Sequence, residues 1–359
     1  MAVVLSRLLS LLEKIAPLDY AEEWDNVGLL IDPAGTQAIS ISRLMLTIDL
    51  TPAVMDEAAE RRADMVVAYH PPIFKPLKRL RQNVPAERVV MQAVRAGLPV
   101  YSPHTALDAA PKGVNDWLAE GVGPGLVQPL EQSFEKGAAA QCRVSVLTNS
   151  EEVERLRHAV VEQAGVKRIA SSGERRLDAQ GQPRDDVWLE FVCERRALER
   201  VATALGADRS RKDLVWDVTP LGDKPLLGTG AGRGVRLQDA LTLPDLVEQL
   251  KQHLGLPKLW VAASDRHKRG GEIERVALCA GAGGSLFERH PDYDLYVTGE
   301  MRHHDVKDAV ASGRSVILCG HTNTERGYLP LLRRRIETAC EGEVKVLVSK
   351  RDADPLVVT

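Results

Sequence analysis

The chain has 359 residues, 44% of them hydrophobic and 27% charged, with a formal net charge of −3. That length exceeds a single ordinary core and predicts two domains, or one large domain carrying an insertion. The small net charge offers no electrostatic footprint for nucleic acid, and no run approaches the ~20 apolar residues that span a bilayer, so nucleic-acid binding and membrane insertion are set aside.

Residues 1–17 place Leu5, Leu8, Leu9, Leu12 and Ile15 at helical spacing, with Arg7, Glu13 and Lys14 between them and no small-residue cleavage site. This predicts an amphipathic core helix and no signal peptide. From residue 40 to 105, short β-rich runs alternate with helical stretches: a strand at 44–48, a helix opened by Thr51-Pro52, a strand at 65–68, a helix over 85–96 stopped by Gly97, and a strand at 98–101. Such βαβ order predicts a largely parallel sheet covered by helices. Residues 142–222 read differently, with strand-helix units at 142–147 and 151–164, then at 187–192 and 197–205, and a closing strand at 215–218. Gly/Ala-rich loops at 136–140 and 228–234 flank them. The expectation is a discontinuous α/β domain of residues 1–135 and 226–359, interrupted by a small α+β domain at 138–224. The βαβ order returns with strands at 275–280, 295–298 and 315–319 and a last amphipathic helix carrying Leu329, Leu331, Leu332 and Ile336. Both α/β halves are expected in one sheet system.

Cys142, Cys193, Cys279, Cys319 and Cys340 are scattered, odd in number and free of any C-x-x-C pair, which argues against a disulfide framework or a thiolate zinc site. A cytoplasmic location is the corresponding expectation. The basic runs 209–212 and 333–335 read as solvated faces.

Three apolar strands run directly into metal-capable residues: 65–68 into Tyr69-His70-Pro71-Pro72, 98–101 into Ser102-Pro103-His104-Thr105-Ala106-Leu107-Asp108, and 315–319 into Gly320-His321-Thr322-Asn323-Thr324-Glu325. In open parallel sheets ligands sit beyond the carboxyl ends of strands, so three such endings can share one cleft. A lone histidine at a strand end is ordinarily a hydrogen-bonded structural residue. Three endings of this kind favour a metal cleft of His70, Asp108, His321 and Glu325 instead. Its nitrogen and oxygen donors suit one or two ions of zinc, iron or manganese and suit copper(I) poorly. His104, Glu300 and His304 are the candidate catalytic residues, with Asp25 and His303 beside them, able to orient ligands or move protons. A structural role stays open for each. The turn 281–284 reads as a simple glycine turn or a phosphate cradle.

The segments Glu23-Trp24-Asp25-Asn26-Val27-Gly28-Leu29, Tyr69-His70-Pro71-Pro72-Ile73-Phe74, His104-Thr105-Ala106-Leu107-Asp108 with Gly113-Val114-Asn115, Thr298-Gly299-Glu300-Met301-Arg302-His303-His304-Asp305 and Gly320-His321-Thr322-Asn323-Thr324-Glu325-Arg326-Gly327 resemble the Nif-three-like family. Its members often carry the label GTP cyclohydrolase 1 type 2 homolog. The resemblance spans nearly the whole chain, in order. It implies two α/β halves forming one metal cleft, a dinuclear centre with Glu325 bridging both ions, and a toroidal homohexamer. It also implies that residues 142–222 are similar to the PII-like or CutA-like domain of some members, although 208–217 lacks the expected His-Pro-Tyr-Glu-Glu segment. Many members have two adjacent histidines where this chain has Tyr69-His70, a form similar to the eukaryotic-type branch. Losing that imidazole weakens the second site. Metal-assisted hydrolysis of a nucleotide, a related heterocycle or a phosphoester is the implied activity. A non-catalytic metal-binding scaffold or regulatory ring is the alternative.

Overall fold

The computed structural model describes residues 2–33, 35, 39–135, 141–177, 183–206 and 215–356. The loop 136–140, the basic run 209–212 and most of segment 208–217 lie outside them. The chain separates into two compact units, Met1–Ser133 with Leu226–Thr359, and Phe134–Pro225. Among the described residues no helix is long and apolar enough to cross a membrane.

The larger unit holds two principal sheets. In the first, strands Lys345–Val348, Arg43–Thr47, Met65–Ala68 and Val100–Ser102 run parallel in that order, and Gly28–Ile31 closes the edge antiparallel. Every residue of Met65–Ala68 is buried, as befits a central strand covered on both faces. Val54, Met55 and Ala58 of helix Pro52–Glu60 and Val89, Val90 and Ala93 of helix Pro85–Arg95 pack on Met45, Val66 and Ala68. Leu44, Leu46, Met65 and Val67 share a core with Leu5, Leu8 and Leu12 of helix Leu5–Ile15 and with Leu329, Leu332 and Ile336 of helix Leu329–Ala339. The Thr51 side chain accepts from Val54 N and caps its helix, with Pro52 in the first turn, and Gly97 takes φ +63 just past the other helix.

The second sheet orders Trp260–Ala262, Ser315–Leu318, Leu295–Glu300, Ile273–Ala282, Arg233–Leu241 and Gly125–Gln128. The strands of 273–318 are parallel and the rest antiparallel. The strands thus fall in two sheets, and each half lends a strand to the other's sheet: Lys345–Val348 lies at the edge of the first and Gly125–Gln128 at the edge of the second. What unites them is one hydrophobic core that also takes in Val276, Leu278, Leu295, Val297 and Ile317. The glycine-rich stretch 228–234, expected as a loop, belongs to strands Pro225–Ala231 and Arg233–Leu241, joined at Gly232 with φ +56. Its glycines permit close approach: a Cβ on Gly230 would lie 1.9 Å from the Glu131 carbonyl oxygen, and one on Gly234 would lie 2.0 Å from Tyr293 Oη.

The smaller unit runs strand Gln141–Thr148, helix Val153–Val161, strands Val166–Leu177 and Pro183–Glu194, helix Leu198–Gly206 and strand Trp216–Pro220. Its sheet is antiparallel, ordered second, third, first, fourth, which is ferredoxin-like βαββαβ topology. Strand Val166–Leu177 was absent from the sequence expectation. It is an edge strand paired only with Pro183–Glu194, and Val-Lys-Arg-Ile-Ala-Ser-Ser-Gly lacks the apolar alternation that marks a half-buried strand.

Glu57 ties the segment after the last strand to the first sheet's helices. Its carboxylate accepts from Ser349 Oγ, Arg61 and the backbone N–H groups of Lys350 and Arg351. Burial raises its pKa, but these hydrogen bonds prevail and lower it from 4.5 to about 2. A depressed carboxylate pKa stabilises the fold above the unfolded value and ceases to as pH falls through the folded one, here a contribution of roughly 3 kcal/mol lost between pH 4.5 and 2. Urea denaturation of Glu57→Gln should show that deficit at pH 7 and converge with the parent near pH 2. A gap independent of pH would refute it.

Candidate metal centre

The candidate ligands stand where strands end. Tyr69 N and His70 N still donate to the Thr47 and Ile48 carbonyls, so the ladder carries His70 past strand Met65–Ala68. Cys319 N and Gly320 N likewise donate to Thr298 and Gly299, delivering His321 beyond Ser315–Leu318. Glu325 follows on the short helix Asn323–Arg326. Thr324 Oγ1 fastens that turn, donating to the His321 carbonyl and accepting from Gly281 N.

His70, His321 and Glu325 each offer a donor atom within 4.8 Å of the others. His70 Nε2 lies 3.4 Å from Glu325 Oε2, and His321 Nε2 lies 3.4 Å from Glu325 Oε1. Behind them, His70 Nδ1 is 3.0 Å from Asp49 Oδ1 and His321 Nδ1 is 2.9 Å from Glu300 Oε1. A carboxylate holding each Nδ1–H leaves both Nε2 lone pairs turned to one place, the arrangement that orients metal-binding histidines. Glu325 is only 2% exposed, and its Oε2 lacks a hydrogen-bond partner. A buried carboxylate oxygen in that state demands a cation, so these three residues fit a divalent ion. The electrostatics agree: burial lowers the His70 pKa, yet the Asp49 and Glu325 carboxylates override it and raise it to about 10.

Asp108 lines the same cavity but stands outside this donor group. Tyr69 Oη donates to its Oδ1 at 2.5 Å. Burial, opposed by that hydrogen bond, raises the Asp108 pKa to about 6, and burial followed by the Asp108 charge pushes the Tyr69 phenol well up. His70, His321 and Glu325 are thus brought together, while Asp108, the fourth expected ligand, is engaged by the tyrosine.

His104 opens helix His104–Ala109 on the cavity wall, at φ +30. Its Nδ1 lies 2.7 Å from Asp25 Oδ1. The Asp25 carboxylate also accepts from Thr105 N and, at 2.5 Å, from Thr105 Oγ1. Burial raises the Asp25 pKa, and the His104 and Thr105 hydrogen bonds more than reverse it. A non-glycine residue at positive φ is held there by such bonds and is a mark of functional sites. Glu300 acts behind His321. His304 packs against the His303 ring at the start of helix His303–Ala311 and is not on the cavity wall.

Sequence reasoning missed Asp49 and Cys279. Asp49 follows strand Arg43–Thr47, so the strand-end rule that found His70 could have found it. Cys279 reaches the cavity from within strand Ile273–Ala282, where nothing local distinguishes it from the neighbouring core. Gly281, at φ +65, provides room at the centre: a Cβ there would lie 3.0 Å from both Glu325 Oε1 and His321 Nε2.

The model of the family described as Duf34/NIF3 (NGG1p interacting factor 3) matches residues 3–355. The chain belongs to the Duf34/NIF3 family. NIF3-like protein 1 of Rattus norvegicus is 39% identical over 99% of this chain and 92% of that relative. The crystal structure of a Bacillus cereus protein related to NIF3 shares the fold at 24% identity, with a TM-score of 0.69 and 99% of both chains covered. A Staphylococcus aureus hypothetical protein does so at 22% identity, with a TM-score of 0.76 over the full length of both. In this Duf34/NIF3 chain the room around Gly281 is open to test. Gly281→Ala should keep the fold's circular dichroism while lowering affinity for zinc, iron or manganese by roughly tenfold, or about 1.4 kcal/mol, since its Cβ would crowd two donors. Titration of chelator-stripped protein measures this. Parent-like affinity would show that the glycine serves only the turn.

Proposed function

We propose that the chain is a metal-dependent hydrolase acting on a nucleotide, a related heterocycle or a phosphoester. The observation that carries this is the buried Glu325 carboxylate, with one oxygen unpartnered, between two Nε2 atoms on the wall of a cavity of about 610 Å³. Three protein ligands opening onto a cavity of small-molecule size leave coordination positions free, which favours chemistry over a closed structural site. His70, His321 and Glu325 would hold a divalent ion, with zinc, iron and manganese compatible with the donors, and it would supply Lewis acidity and water activation there. Asp49 and Glu300 fix the imidazoles. His104, its Nδ1 committed to Asp25, has Nε2 to accept a proton from the attacking water and return one to the leaving nitrogen or oxygen. Asp108, engaged by Tyr69, favours one ion per chain over two.

The ring-opening reaction in the family label uses the same parts as phosphoester cleavage, so the substrate screen includes purine nucleotides, pterin precursors and phosphoesters. Metal-loaded parent should turn over at least one class. Glu325→Gln should lose both the bound metal and the turnover, by elemental analysis and steady-state rate. A variant that keeps its metal refutes the ligand assignment, and a loaded parent inert to the whole panel refutes the hydrolase.

We also read the chain as a toroidal homohexamer in the cytoplasm, and its ferredoxin-like unit as PII- or CutA-like. Light scattering tests the assembly.

The ligands come from both ends of the larger unit's sequence, so only its folded form assembles them. Chelation should lower that unit's melting point by roughly 5–10 °C. Binding to the native state alone contributes about 2.7 kcal/mol at roughly 100 times Kd, and a kilocalorie moves the melting point of a unit this size by about 2–4 °C. The Phe134–Pro225 unit, which contributes no ligand, should melt unchanged. Calorimetry of the full chain with and without chelator decides it.

A further inference from the structure

Above the metal donors the cavity wall is a run of rings. Centroids lie 5.4 Å apart from His321 to His70, 5.4 Å from His70 to His104, 6.2 Å from His104 to Trp24 and 6.3 Å from His104 to Phe74. The run ends at two large aromatics with open surface, Trp24 at 62% and Phe74 at 46% exposure. They stand edge to face, 6.0 Å apart at 68°. A ring lying flat on one therefore turns its own edge to the face of the other, both being favoured aromatic geometries.

The two are braced in place. Asn26 Nδ2, two residues after Trp24, donates to the carbonyl of Ile73, adjacent to Phe74, at 2.5 Å. Asp25, between Trp24 and Asn26, is locked to His104 and Thr105. Surface this apolar, held rigid at the opening of the cavity, is the pre-organised kind that binds with little ordering cost. Other parts of the lining are polar, with Glu22, Ser285 and the ion pair of Glu131 with Arg289. The Glu22 carboxylate calls for N–H donors along the ligand's edge, which a hydrocarbon ring lacks.

We infer that Trp24 and Phe74 form a stacking site for an amino-bearing planar heteroaromatic ring, of the nucleobase class, and thereby select the substrate of this cavity. Only the last clause rests on the hydrolase reading. The ring site itself stands without metal.

Calorimetric titration of the full chain with guanosine and adenosine 5′-monophosphates, with and without chelator, tests this, with ribose 5-phosphate as the ring-free control. Both nucleotides, or one of them, should bind with or without metal, and ribose 5-phosphate should not compete. Trp24→Leu and Phe74→Leu should each weaken nucleotide binding by roughly tenfold to a hundredfold, the range of one lost base stack, with metal content unchanged. Should Trp24→Leu disturb the fold, Trp24→Phe decides, because it keeps a ring face and must retain most of the binding. Absence of nucleotide binding, equal binding of ribose 5-phosphate, or parent-like affinity in both leucine variants overturns the inference. Loss of turnover with ring binding intact sinks only the hydrolase. Metal-dependent turnover of ring-free phosphoesters without ring binding sinks only the stacking site.

Discussion

Glu325 is a buried carboxylate with one oxygen unpartnered, and much of the larger unit is arranged around it. Removing such a charge from water costs several kcal/mol unless counter-charge and hydrogen bonds return it. Two imidazoles approach it, one at each oxygen and each backed by a carboxylate of its own, so the cluster carries more negative than positive charge. Burial lowers the His70 pKa, and the Asp49 and Glu325 carboxylates outweigh it.

The position of Glu325 depends in turn on a segment far away in sequence. Asp352 accepts from Ile48 N at 2.6 Å and pairs with Arg326 at 2.7 Å. Ile48 adjoins Asp49, which holds His70, and Arg326 adjoins Glu325. Asp354 accepts from Thr322, beside His321. The last described turn of chain therefore registers ligand-bearing loops that begin on different sheets, through charged groups sheltered from screening water. Fully buried Arg233 does a related task around Asp108: it pairs with Asp116 and donates to the Ala109, Ala110, Gly230 and Gly232 carbonyls.

Tyr69 stands beside His70 and reaches Asp108. A phenol is a poor neutral ligand, because burial and the neighbouring carboxylates keep its proton on, and here that proton is given to Asp108. The aromatic wall continues through the same residue, since Tyr69 also meets the His104 ring edge to face at 5.6 Å.

What the sequence by itself determined was local. Four-residue apolar strands running into Tyr69-His70 and Gly320-His321, the Thr51-Pro52 cap and the Gly97 stop are set by side-chain period, by backbone freedom and by the chain direction of parallel strands, all written within a few residues. The four-spaced His321 and Glu325 belong here too. Tertiary structure alone decided the rest: that the halves form two sheets on one core, that Asp49 and Glu300 stand behind the imidazoles, and that Tyr69 captures Asp108. It also decided that Gly281 clears the centre and that Trp24 and Phe74 keep their faces open. Those outcomes rest on distances between groups as far apart in sequence as Ile48 and Asp352, separated by 304 residues. Burial and the pairing of charges are properties of the packed chain, and no local pattern encodes which carboxylate will find which imidazole.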